Sequence, residues 1–122
     1  MDEFVVLYRP VGQTEFGLIQ QAGFREFPSR LPEQPFFYPV VNEEYAIQIA
    51  RDWNTQDPNS GFAGYVLRFK LRADFIRKYP TRQVGDRQHC EYWIPAGDLP
   101  ELNRSLIGKI EIIRAYHRKA TS

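Results

Sequence analysis

Cys90-Glu91-Tyr92-Trp93-Ile94-Pro95 sets a carboxylate, two large aromatics and an isoleucine in a row, and a proline ends the run. Alternation makes it a short strand with Glu91 and Trp93 on one face and Tyr92 and Ile94 on the other. Two readings of Glu91 stand side by side. In one it points into a cleft whose aromatic surface holds a flat ligand. In the other it lies on an edge strand and faces water. The segments that bear on this choice lie earlier in the chain.

Phe4 to Tyr8 is a β-branched and aromatic run, read as a first strand ending at Arg9-Pro10-Val11-Gly12. A short helix follows, capped by Thr14, with Phe16, Ile19 and Gln20 at helical spacing and Gly23 closing it. Residues 24 to 35 carry three prolines and neither period. So long a loop suggests a lid or binding loop. Arg25 and Arg30 on it are either solvated or placed to meet a phosphate.

Phe36 to Val41 reads as a second strand running into Asn42, an N-cap with Glu43 and Glu44 in the first turn. Tyr45, Ala46, Ile49, Ala50 and Trp53 then recur at helical spacing, predicting a helix over 43–53. Residues 54–61 spell a surface turn cluster. Tyr65, Leu67, Phe69 and Leu71 alternate with Arg68, Lys70 and Arg72, giving a half-exposed strand. A helical turn over 73–79, a short strand over 81–84 and a turn at Gly85-Asp86 lead into the Glu91 motif. Asp98 then caps a short helix with Pro100 near its start, and a strand over 110–116 closes the chain. The pattern predicts one α+β domain spanning residues 1–122, its sheet mixed in direction and curved or split.

Composition narrows the function classes. With 122 residues and 43% hydrophobic content, the chain suffices for one core and no second module. A net charge of +1 argues against general nucleic-acid binding. The single cysteine fits a reducing compartment, and the apolar run after Met1 is too short for a signal peptide or membrane span. A soluble cytoplasmic protein is expected. His89 and His117 share no metal-ligand spacing with Cys90 or the carboxylates, so no metal is expected. No P-loop or Rossmann glycine pattern occurs. Cys90 and His89, adjacent on a strand, point to opposite faces and make a poor catalytic pair.

Three segments taken together, Leu7-Tyr8-Arg9-Pro10-Val11-Gly12, Phe36-Phe37-Tyr38-Pro39 leading into Asn42-Glu43-Glu44-Tyr45-Ala46, and Glu91-Tyr92-Trp93-Ile94-Pro95, resemble the three signature elements of the ADP-ribosyltransferase fold. Nearly the whole chain also resembles short bacterial proteins labelled "ADP-ribosylation/crystallin J1". The hydrolases sharing that name are much larger, all-helical metal enzymes, and it is the transferase fold that fits here. The resemblance implies NAD as the ligand, Glu91 as the catalytic carboxylate, Arg9 in the first-strand role, and Tyr38 or Tyr45 as stacking residues. Arg30 joins them as a loop residue suited to phosphate. A carboxylate on the ribose and a cationic clamp would stabilise the oxocarbenium character that builds as nicotinamide leaves.

The pattern departs from the family in two places. His89 stands where arginine-modifying members have an acidic or amide residue, and Arg9 stands where the polymerase branch has histidine. The type of target therefore does not carry over. The expected activity is NAD-dependent ADP-ribosyl transfer or NAD hydrolysis, with a protein as possible acceptor and no membrane partner. The alternative is a nucleotide- or protein-binding module that keeps the fold without turnover. RNA 2′-phosphotransferases share the fold but imply a more basic cleft than a +1 chain offers.

Overall fold

The computed structural model describes residues 3–83 and 90–118. Its elements in order are β1 (Phe4–Val11), α1 (Gln13–Gln21), β2 (Phe36–Phe37), α2 (Glu43–Gln48), a π-helix (Ile49–Trp53), β3 (Ala63–Arg72), α3 (Ala73–Ile76), β4 (Thr81–Gln83), β5 (Cys90–Tyr92), β6 (Ile94–Pro95), α4 (Leu99–Arg104) and β7 (Glu111–His117). The architecture is α+β. His89 and the Gly85-Asp86 turn lie outside the described residues.

β3 is the centre of the fold. Its Tyr65, Leu67, Phe69 and Leu71 are buried, and Arg68, Lys70 and Arg72 point outward as the alternation predicts. β1 and β7 flank it, both antiparallel. On its far side β1 meets the next segment at one position, a two-hydrogen-bond pair between Tyr8 and Val40. Val40 also lies opposite Glu91, while Phe36 and Phe37 lie opposite Pro95 and Ile94, so residues 36–41 run in one register along 90–95. β4 completes the outer side by pairing with β5.

The sheet is split, as expected, into a three-stranded part and two short pairs. It is not mixed: every described pairing is antiparallel. Strand, helix, strand spelled a parallel crossover, but the long connection after α1 lets the chain reverse before Phe36.

Local differences have local causes. β1 runs through Arg9 and Pro10 to Val11, inside the segment where it is expected to end. Pro10 has the same parity as Tyr8, whose N–H points away from β3, so the missing proline donor costs no ladder bond. α1 is capped by Gly12 rather than Thr14, and turns out through Gly23 and Phe24, both left-handed. The Asn42 cap forms as expected, its Oδ1 accepting from Glu44 and Tyr45 N–H. The helix over 43–53 is present, but its second half is π-helical. The 54–61 segment forms two 3₁₀ turns and buries Thr55 and Ser60, so it is not wholly a surface loop.

Two apolar clusters sandwich the sheet. One joins β1, α1, β3, β6 and α4 around Leu7, Phe27, Phe37, Leu67, Phe69 and Ile94. The other lies under α2 and the π-helix, around Val40, Tyr45, Ala46, Ala50 and Val66. The 24–35 loop is pinned to the first by the buried Phe27. The backbone N–H of Phe27 donates to Asn103 Oδ1, and its carbonyl accepts from Asn103 Nδ2.

Candidate functional site

Directly opposed residues of an antiparallel sheet share a face, so Tyr8, Val40 and Glu91 lie on one side. Residues two apart join them, which adds Tyr38, Phe36 and Trp93. These make an aromatic wall. The Trp93 ring meets Tyr38 edge-on at 5.4 Å and stands 5.6 Å from Phe36. Trp93 Nε1 donates to Glu91 Oε1 at 3.0 Å. Across the β4–β5 pair, Arg82 lies opposite Glu91 and holds its guanidinium 4.3 Å over the Trp93 ring. Tyr45, at the start of α2, is buried on this face.

The electrostatics follow from this packing. Burial pushes the Glu91 carboxyl above its ordinary range, while the Trp93 N–H and the Arg9 charge pull it partly back. Tyr45 is raised too, first by burial and then by the Glu91 charge. Glu91 is therefore a half-buried carboxylate held in orientation by an indole, rather than a glutamate at a water-facing edge.

Arg9 lies on the other face, the neighbour of Tyr8 in a strand. Its Nε and Nη2 donate to the two Glu15 oxygens at 2.5 and 2.8 Å. Its guanidinium carbon stands 4.3 Å over the Phe37 ring. Arg30 reaches the same place from the loop. Its Nη1 is 3.5 Å from Glu15, and its Nε donates to the Phe36 carbonyl at 3.2 Å. Burial, then the Arg9 charge, lower the Arg30 pKa, with Glu15 and Tyr38 opposing. This triad is the inner wall of a cleft of about 690 Å³ between α1, the 28–34 loop and the 54–60 turns, which Ser29, Glu33 and Asn59 also line.

Glu91 and Tyr38 thus come together with Trp93, and Arg9 comes together with Arg30. Arg9 and Glu91 do not share a face; only the Arg9 charge reaches across. Tyr45 backs Glu91 from within the core. Arg25 lies in a separate hollow with Phe27 and Asn103. Sequence reasoning passed over Glu15, Phe37 and Arg82. Glu15 carried the only available signal, an acidic residue in the first turn of a helix.

Among the described residues no three His, Cys, Asp or Glu side chains gather as a metal would require, and no helix is long and apolar enough to cross a membrane. Comparison with protein-family models, curated proteins and solved structures finds no match for this chain.

Proposed function

We propose that this protein binds NAD and breaks its nicotinamide–ribose bond, passing ADP-ribose to an acceptor or to water, with Glu91 as the catalytic residue. The observation that carries the reading is the Glu91 carboxylate, half-buried and held by Trp93 on an aromatic wall. A flat nicotinamide suits that wall, and a fixed carboxylate suits a ribose hydroxyl beside it. As the ribose C1′–N bond breaks, its electron pair leaves with neutral nicotinamide and positive charge develops on the ribose. Glu91, on the ribose hydroxyl, stabilises that charge. An acceptor oxygen or nitrogen then bonds to C1′ and releases its proton to solvent.

Roles divide by face. Tyr38 and Trp93 offer the stacking surface, and Tyr45 acts from beneath Glu91 as a positioning residue. Arg30, which bonds the Phe36 carbonyl from the opposite face, is the residue this reading assigns to the phosphates.

The test is calorimetric titration of NAD into wild type and Glu91→Gln, with released nicotinamide followed chromatographically. Loss of a catalytic carboxylate lowers release by about 100-fold or more while NAD still binds. Release unchanged in Glu91→Gln, or no NAD binding by wild type, overturns the reading. Binding without release supports the second reading, a nucleotide-binding module without turnover. Two features favour that module: Arg9 and Glu91 lie on opposite faces, and Arg9 already has its guanidinium filled by Glu15.

A further inference from the structure

Two guanidinium groups converge on one carboxylate at the Arg9–Glu15–Arg30 triad. Glu15 is bidentate to Arg9, but its contact with Arg30 is long, at 3.5 Å. The Arg30 side chain is 12% exposed, and among the described residues neither terminal nitrogen donates a hydrogen bond. The triad carries two positive charges and one negative. A guanidinium so nearly enclosed, with its fork open onto a cleft, lacks the second pair of oxygens that bidentate recognition provides.

We infer that Glu15 is a built-in surrogate for a ligand phosphate, occupying the Arg9–Arg30 fork until a polyphosphate such as a nucleotide's pyrophosphate displaces it. Pyrophosphate brings more charge and more oxygens than one carboxylate and can satisfy both guanidinium groups at once. A ligand with a single carboxylate has no advantage over the tethered Glu15, whose attachment gives it a high effective concentration. The device selects polyphosphate over simple carboxylates. It rests on the NAD reading only for the identity of the full ligand, since pyrophosphate alone is the probe.

The experiment is titration of inorganic pyrophosphate into wild type, Glu15→Gln, Glu15→Asp and Arg30→Gln at fixed ionic strength, with folding of each checked by circular dichroism. Glu15→Gln, which removes the competing charge, binds pyrophosphate about tenfold tighter than wild type. Arg30→Gln binds about tenfold weaker. Glu15→Asp withdraws the carboxylate by one methylene, keeps the charge, and falls between wild type and Glu15→Gln. If Glu15→Gln does not fold, the Asp and Arg30 variants still decide the matter. Absent binding to wild type and to every folded Glu15 variant, or affinity indifferent to Arg30, overturns the inference and leaves the triad a structural ion pair. If pyrophosphate binds as expected while NAD is neither bound nor cleaved, the NAD reading alone falls.

Discussion

Glu91 sits where its charge is disfavoured, which ties its proposed role to a cost in stability. Its carboxyl is raised above the ordinary 4.5, so the folded state holds the proton more tightly than the unfolded chain does. Below that ordinary value the group is neutral in both states and the cost vanishes. Above it the unfolded chain ionises first, so stability falls as pH climbs, and the full cost of burying the charge is reached once pH has passed the folded value. Glu91→Gln is neutral throughout and keeps an acceptor for Trp93. It should therefore be more stable than wild type at about pH 7 and equal to it at about pH 4 in urea unfolding. A difference of the same size at both pH values would refute the account. Alternation alone put Glu91 with Trp93, because a strand's period is fixed by backbone geometry. Strand period says nothing of how a helix docks, so it did not reveal that Arg9 turns into the opposite cluster and meets Glu15 of α1.

The segment over 43–53 shows the same division between local and distant causes. Its apolar spacing and the Asn42 cap announced a helix and its start. The change to π-helix at Ile49 was not legible, because it accompanies close packing on β3 rather than any local preference. Gly64 marks the contact. A side-chain carbon there would stand 2.1 Å from the Ala50 carbonyl oxygen, which belongs to the π-helix itself. Gly64→Ala should thus destabilise the protein by about 2–3 kcal/mol, since backbone on both sides must move. Chemical denaturation measures it, and a loss below about 0.5 kcal/mol would show that the π-helix shifts freely. Gly17 in α1, whose added carbon would meet nothing within 4 Å, is the control. The 54–61 turns lie largely at the surface, as their polar residues imply, but burial of Thr55 and Ser60 was not legible, because a polar side chain needs water only where it is unbonded. Ser60 is buried while donating to Asp57 and accepting from Asn54.

β3 has partners on both edges and apolar clusters on both faces, whereas the three residues of β4 are all exposed and, among the described residues, pair only with β5. Hydrogen exchange should rank them accordingly: amides within 65–71 exchange slowest, through global unfolding, and those of 81–83 fastest among the strands. Comparable protection in the two would mean that β4–β5 opens only with the whole sheet. The α+β class was readable because strands and helices carry different periods. The direction of the second strand was not, since a long prolyl loop permits either return. The placement of β3 also bears on how the chain acquires its shape. One neighbour, β1, comes from the first residues described, and the other, β7, from the last. A nascent or clipped chain ending before Glu111 would hold β3 with one bare ladder of amides and carbonyls, a template for sticking to other chains.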